Sequence, residues 1–127
     1  FPRFRDILAH RLRWFPEAKR CLQRYLMRDK GLQKPMKADW LVGAAWLMKR
    51  EVFEDLGGFD EDFFLFFEDT DLCRRVHEKG LEVWYQPKSV FLHRKLRLRD
   101  TRLPLMWLFK KTFWIHCASA WKYFRKW

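Results

Sequence analysis

The stretch GGFDEDFFLFFEDTDLCRR, residues 57–75, decides how this chain is read. Nine of the 16 acidic residues lie at positions 51–71, a window without a single Lys or Arg. The rest of the sequence holds all 27 basic residues against seven acids, and the formal charge of the whole is +11. Acids crowded at one point of a basic protein repel one another unless something positive meets them. A metal ion, a basic neighbour from the same fold, or a proton on one carboxylate would each do so. Such crowding marks a site rather than a solubilising surface.

Outward from this stretch the patterning is mostly helical. Residues 68–80 read as a helix with its acids in the first turn and Arg74, Arg75 and Lys79 later, the polarity the helix dipole favours. Leu72, Cys73 and Val76 face inward and Gly80 ends it. Residues 51–56 read as a short helix stopped by Gly57-Gly58, with Gly57 as a left-handed cap. Between them, residues 59–67 are an irregular aromatic segment. DWLVGAAWLM at 39–48 is short and nearly all apolar, which suits a buried strand. Its Gly43-Ala44-Ala45 leaves room for a ligand, another backbone, or tight helix packing. Residues 81–86 read as a strand ended by Pro87, and 90–93 as another.

Residues 4–28 read as one or two helices broken at Phe15-Pro16, with Pro16 fitted to a first turn. Arg20, Arg24 and Arg28 form a stripe at helical spacing, read as a solvated face rather than a phosphate site. Residues 30–37 are a loop. Residues 94–102 are basic, and 103–127 read as a long amphipathic helix. There Trp107, Trp114 and Trp121 recur every seven residues beside Phe113, Cys117 and Phe124, with Lys111, Lys122 and Arg125 opposite.

At 127 residues the chain holds one modest core, and 49% hydrophobic with 34% charged residues is globular rather than disordered. The 19% aromatic share implies aromatic walls, lipid-interface contact, or both. Three widely spaced cysteines without a CxxC pair read as reduced, cytosolic and not zinc-binding. A pI near 10 draws polyanions. FPRFRDILAH has no signal-peptide pattern, and no uncharged apolar run is long enough to span a bilayer. The sequence opens mid-pattern and reads as a piece of something longer.

DWLVGAAWLMKREVFEDLGGFDEDFF, then FEDTDLCRRVHEKG, then VWYQPKSVFLH resemble the C-terminal half of the catalytic domain of family 2 glycosyltransferases. The similarity is to rhamnosyltransferase-like members that build cell-surface polysaccharide. It implies an α/β chain with a partial GT-A fold: a short mixed sheet, flanking helices and a C-terminal amphipathic helix. Residues 1–99 would be the acceptor-side part of the catalytic domain and 100–127 a basic aromatic tail. The implied reaction is an inverting transfer from a nucleotide-sugar donor to a glycan or lipid-linked acceptor. The acceptor hydroxyl loses its proton as it attacks, so a carboxylate base must lie within hydrogen-bond reach. The resemblance assigns that base to Asp69, with Glu68 second; capping of the helix by Asp69, Thr70 and Asp71 is the plainer alternative.

By the same resemblance, His93 completes a site for Mn²⁺ or Mg²⁺ whose other ligands come from an Asp-x-Asp motif. His93 with that metal is the expected counterweight to the acids. No Asp-x-Asp occurs ahead of Trp40, so the donor-binding half is expected to be missing and the chain alone inactive. Trp40, Gly43, Ala44, Phe64 and Phe67 are the expected acceptor contacts, with core packing the alternative for the two phenylalanines. Asp71 is either a cap or an acceptor contact. The tail reads either as an interfacial helix at the inner face of the cell membrane or as a helix packed on the domain. That location makes the protein cytoplasmic and peripheral, and a homo-oligomer is allowed. A rival reading is a non-catalytic basic module on anionic membrane or nucleic acid. The acidic island suits nucleic acid badly, so no nucleic-acid partner is expected. Glu68 and Asp69, adjacent on one helix start, make a poor pair for glycoside hydrolysis.

Overall fold

The computed structural model describes residues 1–11, 16–27, 31–93 and 110–127. Its elements are α1 (Phe4–Arg11), α2 (Pro16–Tyr25), β1 (Met36–Ala38), α3 (Arg50–Asp55), α4 (Glu68–Glu78), β2 (Val83–Tyr85) and α5 (Lys111–Lys126). Local chemistry sets most of the helix ends. At α1, Asp6 reaches back to accept the Arg3 N–H at 2.7 Å, one half of a capping box. The same carboxylate accepts from Cys21 Sγ at 2.9 Å, which ties α1 to α2 and raises the thiol's pKa. Pro16 and Glu17 occupy the first turn of α2, and Arg24 the last.

Helices α3 and α4 end in the same device. Gly57 N–H binds Glu54 O and Gly58 N–H binds Phe53 O, both at 2.9 Å, with the two glycines at φ +76° and +71°. After α4, Gly80 N–H binds His77 O at 2.9 Å and Leu81 N–H binds Val76 O at 3.1 Å. Both are Schellman closures, and a left-handed residue at this position is what makes Gly the natural choice.

Two clusters of buried side chains meet along α4. Leu72 and Val76 pack with Leu56 of the α3 cap, joined by Trp46, Met48, Val52, Phe53 and Val83. Ahead of α4, Phe63 and Phe67 pack with Ala120 and Tyr123 of α5, joined by Ile7, Phe124 and Trp127. Leu72 and Tyr123 are wholly buried.

Three expectations about extended structure fail. Among the described residues the sheet has two strands and is antiparallel, with Met36 opposite Tyr85 and Ala38 opposite Val83, rather than mixed. Its first strand falls in the stretch read as a loop. Residues 39–48 are not a buried strand: Val42 is 62% exposed and Leu47 fully exposed. The Ala44 N–H and the Trp46 indole N–H both donate to Val42 O, at 2.8 and 3.1 Å, a local turn in place of a ladder. An apolar run becomes a strand only when neighbouring strands take its backbone groups, and none does so here. Residues 90–93 are likewise not a strand, and Val90, Phe91, Leu92 and His93 are all exposed.

The tail helix packs by a different face from the one its tryptophans mark. Ser119, Ala120 and Tyr123 are buried, whereas Trp114 and Trp121 are 61% and 63% exposed. Trp107 and the rest of residues 101–109 lie outside the described residues. Small residues at 119 and 120 let α5 approach the segment ahead of α4 closely, and Ser119 Oγ donates to Leu65 O at 2.7 Å.

Candidate functional site

The chain enters α4 through two consecutive phenylalanines in the left-handed region, Phe66 and Phe67, both at φ +69°. Left-handed backbone costs a bulky residue about 1–3 kcal/mol, so surrounding contacts must hold it. Phe67 is buried against Tyr123 and Phe124, at ring distances of 5.1 and 6.3 Å. This turn delivers Glu68 and Asp69 at the first residues of α4.

The Asp69 carboxylate is held from both sides. Oδ2 accepts the Gly43 N–H at 3.0 Å, and Oδ1 accepts the Thr70 N–H at 2.7 Å and hydroxyl at 3.2 Å. The contact between residues 43 and 69 is close: a Cβ on Gly43 would stand 3.4 Å from Asp69 Cβ and 3.7 Å from Oδ2. Gly43 and Ala44 are exposed and Asp69 is half-buried, so the carboxylate sits beside open backbone. Glu68, beside it, is pushed above the usual carboxylate range by burial and, secondarily, by the Asp69 charge. Its buried Oε2 has no hydrogen-bond partner among the described residues.

The other sequence-expected residues separate into three groups. Asp71 is wholly buried and its oxygens are occupied: Oδ2 by Arg75 Nε at 2.9 Å, Oδ1 by Lys126 Nζ and Trp127 Nε1, each at 2.9 Å. It offers no surface to a ligand. Phe67 is core, while Phe64, 84% exposed, stands apart in solvent. Trp40 rests on Tyr25 with ring centroids 5.4 Å apart. Ala44 and His93 line an apolar cleft of about 720 Å³ with Trp46, Cys73 and Trp84, and Asp69 is not among its walls. Burial there raises the Cys73 thiol to about 11. Among the described residues no three His, Cys, Asp or Glu side chains stand together to hold a metal. The described residues alone therefore do not fit a divalent-metal site.

The counterweight to the acidic island comes instead from basic side chains. Lys126 bridges Asp60 at 2.6 Å and Asp71 at 2.9 Å, and Lys122 Nζ donates to Asp62 O at 2.6 Å. Arg75 pairs with Asp71 and also donates to Leu56 O, Lys79 binds Asp55 at 2.6 Å, and Arg50 binds Glu54 at 2.7 Å. Arg75 was legible as the i+4 partner of Asp71. Nothing in the sequence pairs Lys126 and Trp127 with an acid 55 residues earlier.

The Gly43 contact makes a prediction. Gly43→Val crowds the carboxylate and is expected to lower turnover by about 10 to 100-fold, while Gly43→Ala has a much smaller effect. Steady-state kinetics on the two variants, with melting curves to confirm folding, would show it; equal activities would mean that Asp69 need not sit here.

The family described as Glycosyltransferase like family 2 matches residues 8–122. N-acetylglucosaminyl-diphospho-decaprenol L-rhamnosyltransferase of Mycobacterium tuberculosis (strain CDC 1551 / Oshkosh) is 41% identical over 56 residues, 44% of this chain and 18% of that protein. Rhamnosyltransferase WbbL of Escherichia coli (strain K12) is 32% identical over 85 residues, 67% of this chain and 30% of its own length. The dTDP-rhamnosyl transferase RfbF of Shigella flexneri is 31% identical over 61 residues, 48% of this chain and 21% of its own. This chain thus spans less than a third of each of these relatives. No solved structure matches it. The chain belongs to glycosyltransferase-like family 2, and within that family it is similar to rhamnosyltransferases.

Proposed function

We propose that this chain forms the acceptor side of an inverting glycosyltransferase of GT-A type acting in cell-surface polysaccharide synthesis. The acceptor is a glycan or lipid-linked glycan, and the donor a nucleotide-sugar bound mainly by residues outside these 127. The observation that carries the reading is the Asp69 carboxylate, fixed by the Gly43 N–H at the start of α4 beside exposed backbone. In this reading an acceptor hydroxyl oxygen attacks the anomeric carbon while its proton passes to Asp69. The bond from that carbon to the diphosphate oxygen breaks, and the electron pair leaves with the diphosphate.

Glu68, whose burial favours the protonated form, is the weaker base on the same turn. Trp40, Gly43 and Ala44 are the acceptor contacts that remain accessible, with Phe64 at the margin. Asp71 and Phe67 act by holding the turn. The family generally uses a divalent metal. His93 is the residue of this chain we assign to it, with the other ligands outside the described residues. The test is transfer itself. The complete protein should move sugar from a nucleotide-sugar to a lipid-linked glycan, and hydrolysis of the donor without transfer to any acceptor would contradict the reading.

We further propose peripheral contact with the inner face of the cell membrane through the outward face of α5. Among the described residues no helix is long and apolar enough to cross a membrane. Trp114, Ala118, Trp121 and Arg125 share one exposed face, and Arg125 stacks over Trp121 at 5.2 Å. Aromatic rings with cations beside them suit a headgroup layer. Trp121→Ala is expected to weaken co-sedimentation with anionic vesicles while changing stability by no more than about 0.5 kcal/mol. Unchanged binding would remove α5 from the membrane contact.

A further inference from the structure

A second cleft, of about 560 Å³, lies between the N-terminal segment, the end of α2, β1 and residues 39–42. Arg3, Arg5 and Arg24 line it together with Tyr25, Trp40 and Tyr85. The three arginines are exposed, and none of them is ion-paired with an acid among the described residues. The other charged groups of the walls are engaged. Asp6, 5% exposed, accepts from the Arg3 backbone and from Cys21. Asp39 carries the Phe1 ammonium at 3.0 Å, and Lys37 is bound by Glu82. That leaves three free guanidinium groups around a half-open space with an aromatic floor.

Guanidinium groups present parallel N–H donors that match phosphate oxygens, and they stay charged at any physiological pH. Three in one cleft are poorly explained as a solvated face, the reading that the helical spacing of Arg20, Arg24 and Arg28 suggests. The cleft also adjoins the proposed base. Trp40 in its wall is three residues from Gly43, whose N–H holds Asp69. Tyr25 is pushed up by burial first and then by the charges of Asp6 and Asp69, so the wall lies within electrostatic reach of that carboxylate.

We propose that this cleft binds the diphosphate group of a lipid-linked acceptor, with Arg3, Arg5 and Arg24 on the phosphate oxygens and the first sugar on Trp40. The inference rests on the acceptor reading above and adds the acceptor's chemical class. The site orders the acceptor: the anionic group is held at the arginines while a sugar hydroxyl reaches Asp69.

The test uses the complete protein, with nucleoside diphosphate at saturation so that the donor site is filled. Pyrophosphate binding is then measured by calorimetry. In an Arg5→Gln/Arg24→Gln variant it is expected to weaken about tenfold or more, the scale of losing two charge-assisted contacts. KM for a diphosphate-linked acceptor should rise by a similar factor, with kcat and the nucleotide-sugar KM near wild type. Arg20→Gln, on α2 but outside the cleft wall, should change none of these. Unchanged pyrophosphate binding and acceptor KM would overturn the proposal. So would an increase confined to the nucleotide-sugar KM, which would make this a donor site. Failure of the underlying reading looks different: Asp69→Asn would transfer sugar normally while pyrophosphate binding still depended on the arginines.

Discussion

Asp71→Ala is expected to lower the unfolding free energy by about 3 kcal/mol or more, and the melting midpoint on the order of 10 °C. Asp71 is wholly buried, so its charge is tolerated only because Arg75, Lys126 and the Trp127 indole surround it. Removing the carboxylate leaves Arg75, itself only 17% exposed at its side chain, without its acid. Its Nη2 already lacks a partner among the described residues. It also releases α5 from α4, because Lys126 and Trp127 reach α4 through this one side chain. Asp55→Ala is the control. Its pair with Lys79 is exposed on both sides, and such pairs contribute about 1 kcal/mol or less. Equal losses in the two variants, read by thermal melts, would refute the buried network as the link between the helices.

The same network responds to acid. The Asp60 carboxyl is held below its usual range chiefly by the hydrogen bond from Lys126. A carboxyl whose folded value is lowered contributes stability above its unfolded value, and that contribution is lost as pH falls through the folded one. The Lys126 link should therefore weaken only below the ordinary Asp value of 3.8.

Asp69→Asn is expected to reduce kcat for transfer by about 10² to 10⁴-fold, the range for loss of a general base. The nucleotide-sugar KM should change little, because Asp69 meets the acceptor and not the donor in the proposed arrangement. Asparagine keeps the shape but not the bonding. With its oxygen toward Thr70, its NH₂ faces the Gly43 N–H, donor against donor. One lost hydrogen bond costs about 1 kcal/mol, which a melt reports separately from the kinetic loss. Transfer within tenfold of wild type would exclude Asp69 as the base.

Legibility in the sequence followed the range of the interactions. Helices α3 and α4 were readable because their ends depend on neighbours in the chain: Gly57, Gly58 and Gly80 supply the left-handed turns their caps need. The run at 39–48 was misread because an apolar segment forms a strand only beside other strands, and that information is not local. The face of α5 was misjudged for a related reason. A seven-residue recurrence of Trp marks an apolar side, but Ser119, Ala120 and Tyr123 fit the partner surface, and the partner is 54 to 60 residues away. At the site, the resemblance carried Asp69 and Glu68, while the Gly43 N–H that fixes Asp69 could only be seen in three dimensions. Residues 39–45 were flagged for their small side chains, which is the property that lets Gly43 approach Asp69 to van der Waals contact.

The central claim is that one acceptor hydroxyl displaces the diphosphate directly, with its proton taken by this chain. The anomeric configuration of the transferred sugar, read from proton NMR of product made by the complete protein, tests it most directly. A single displacement predicts a linkage opposite in configuration to the donor's, formed by wild type and lost in Asp69→Asn. A product that retains the donor configuration would require two displacements and would contradict the account.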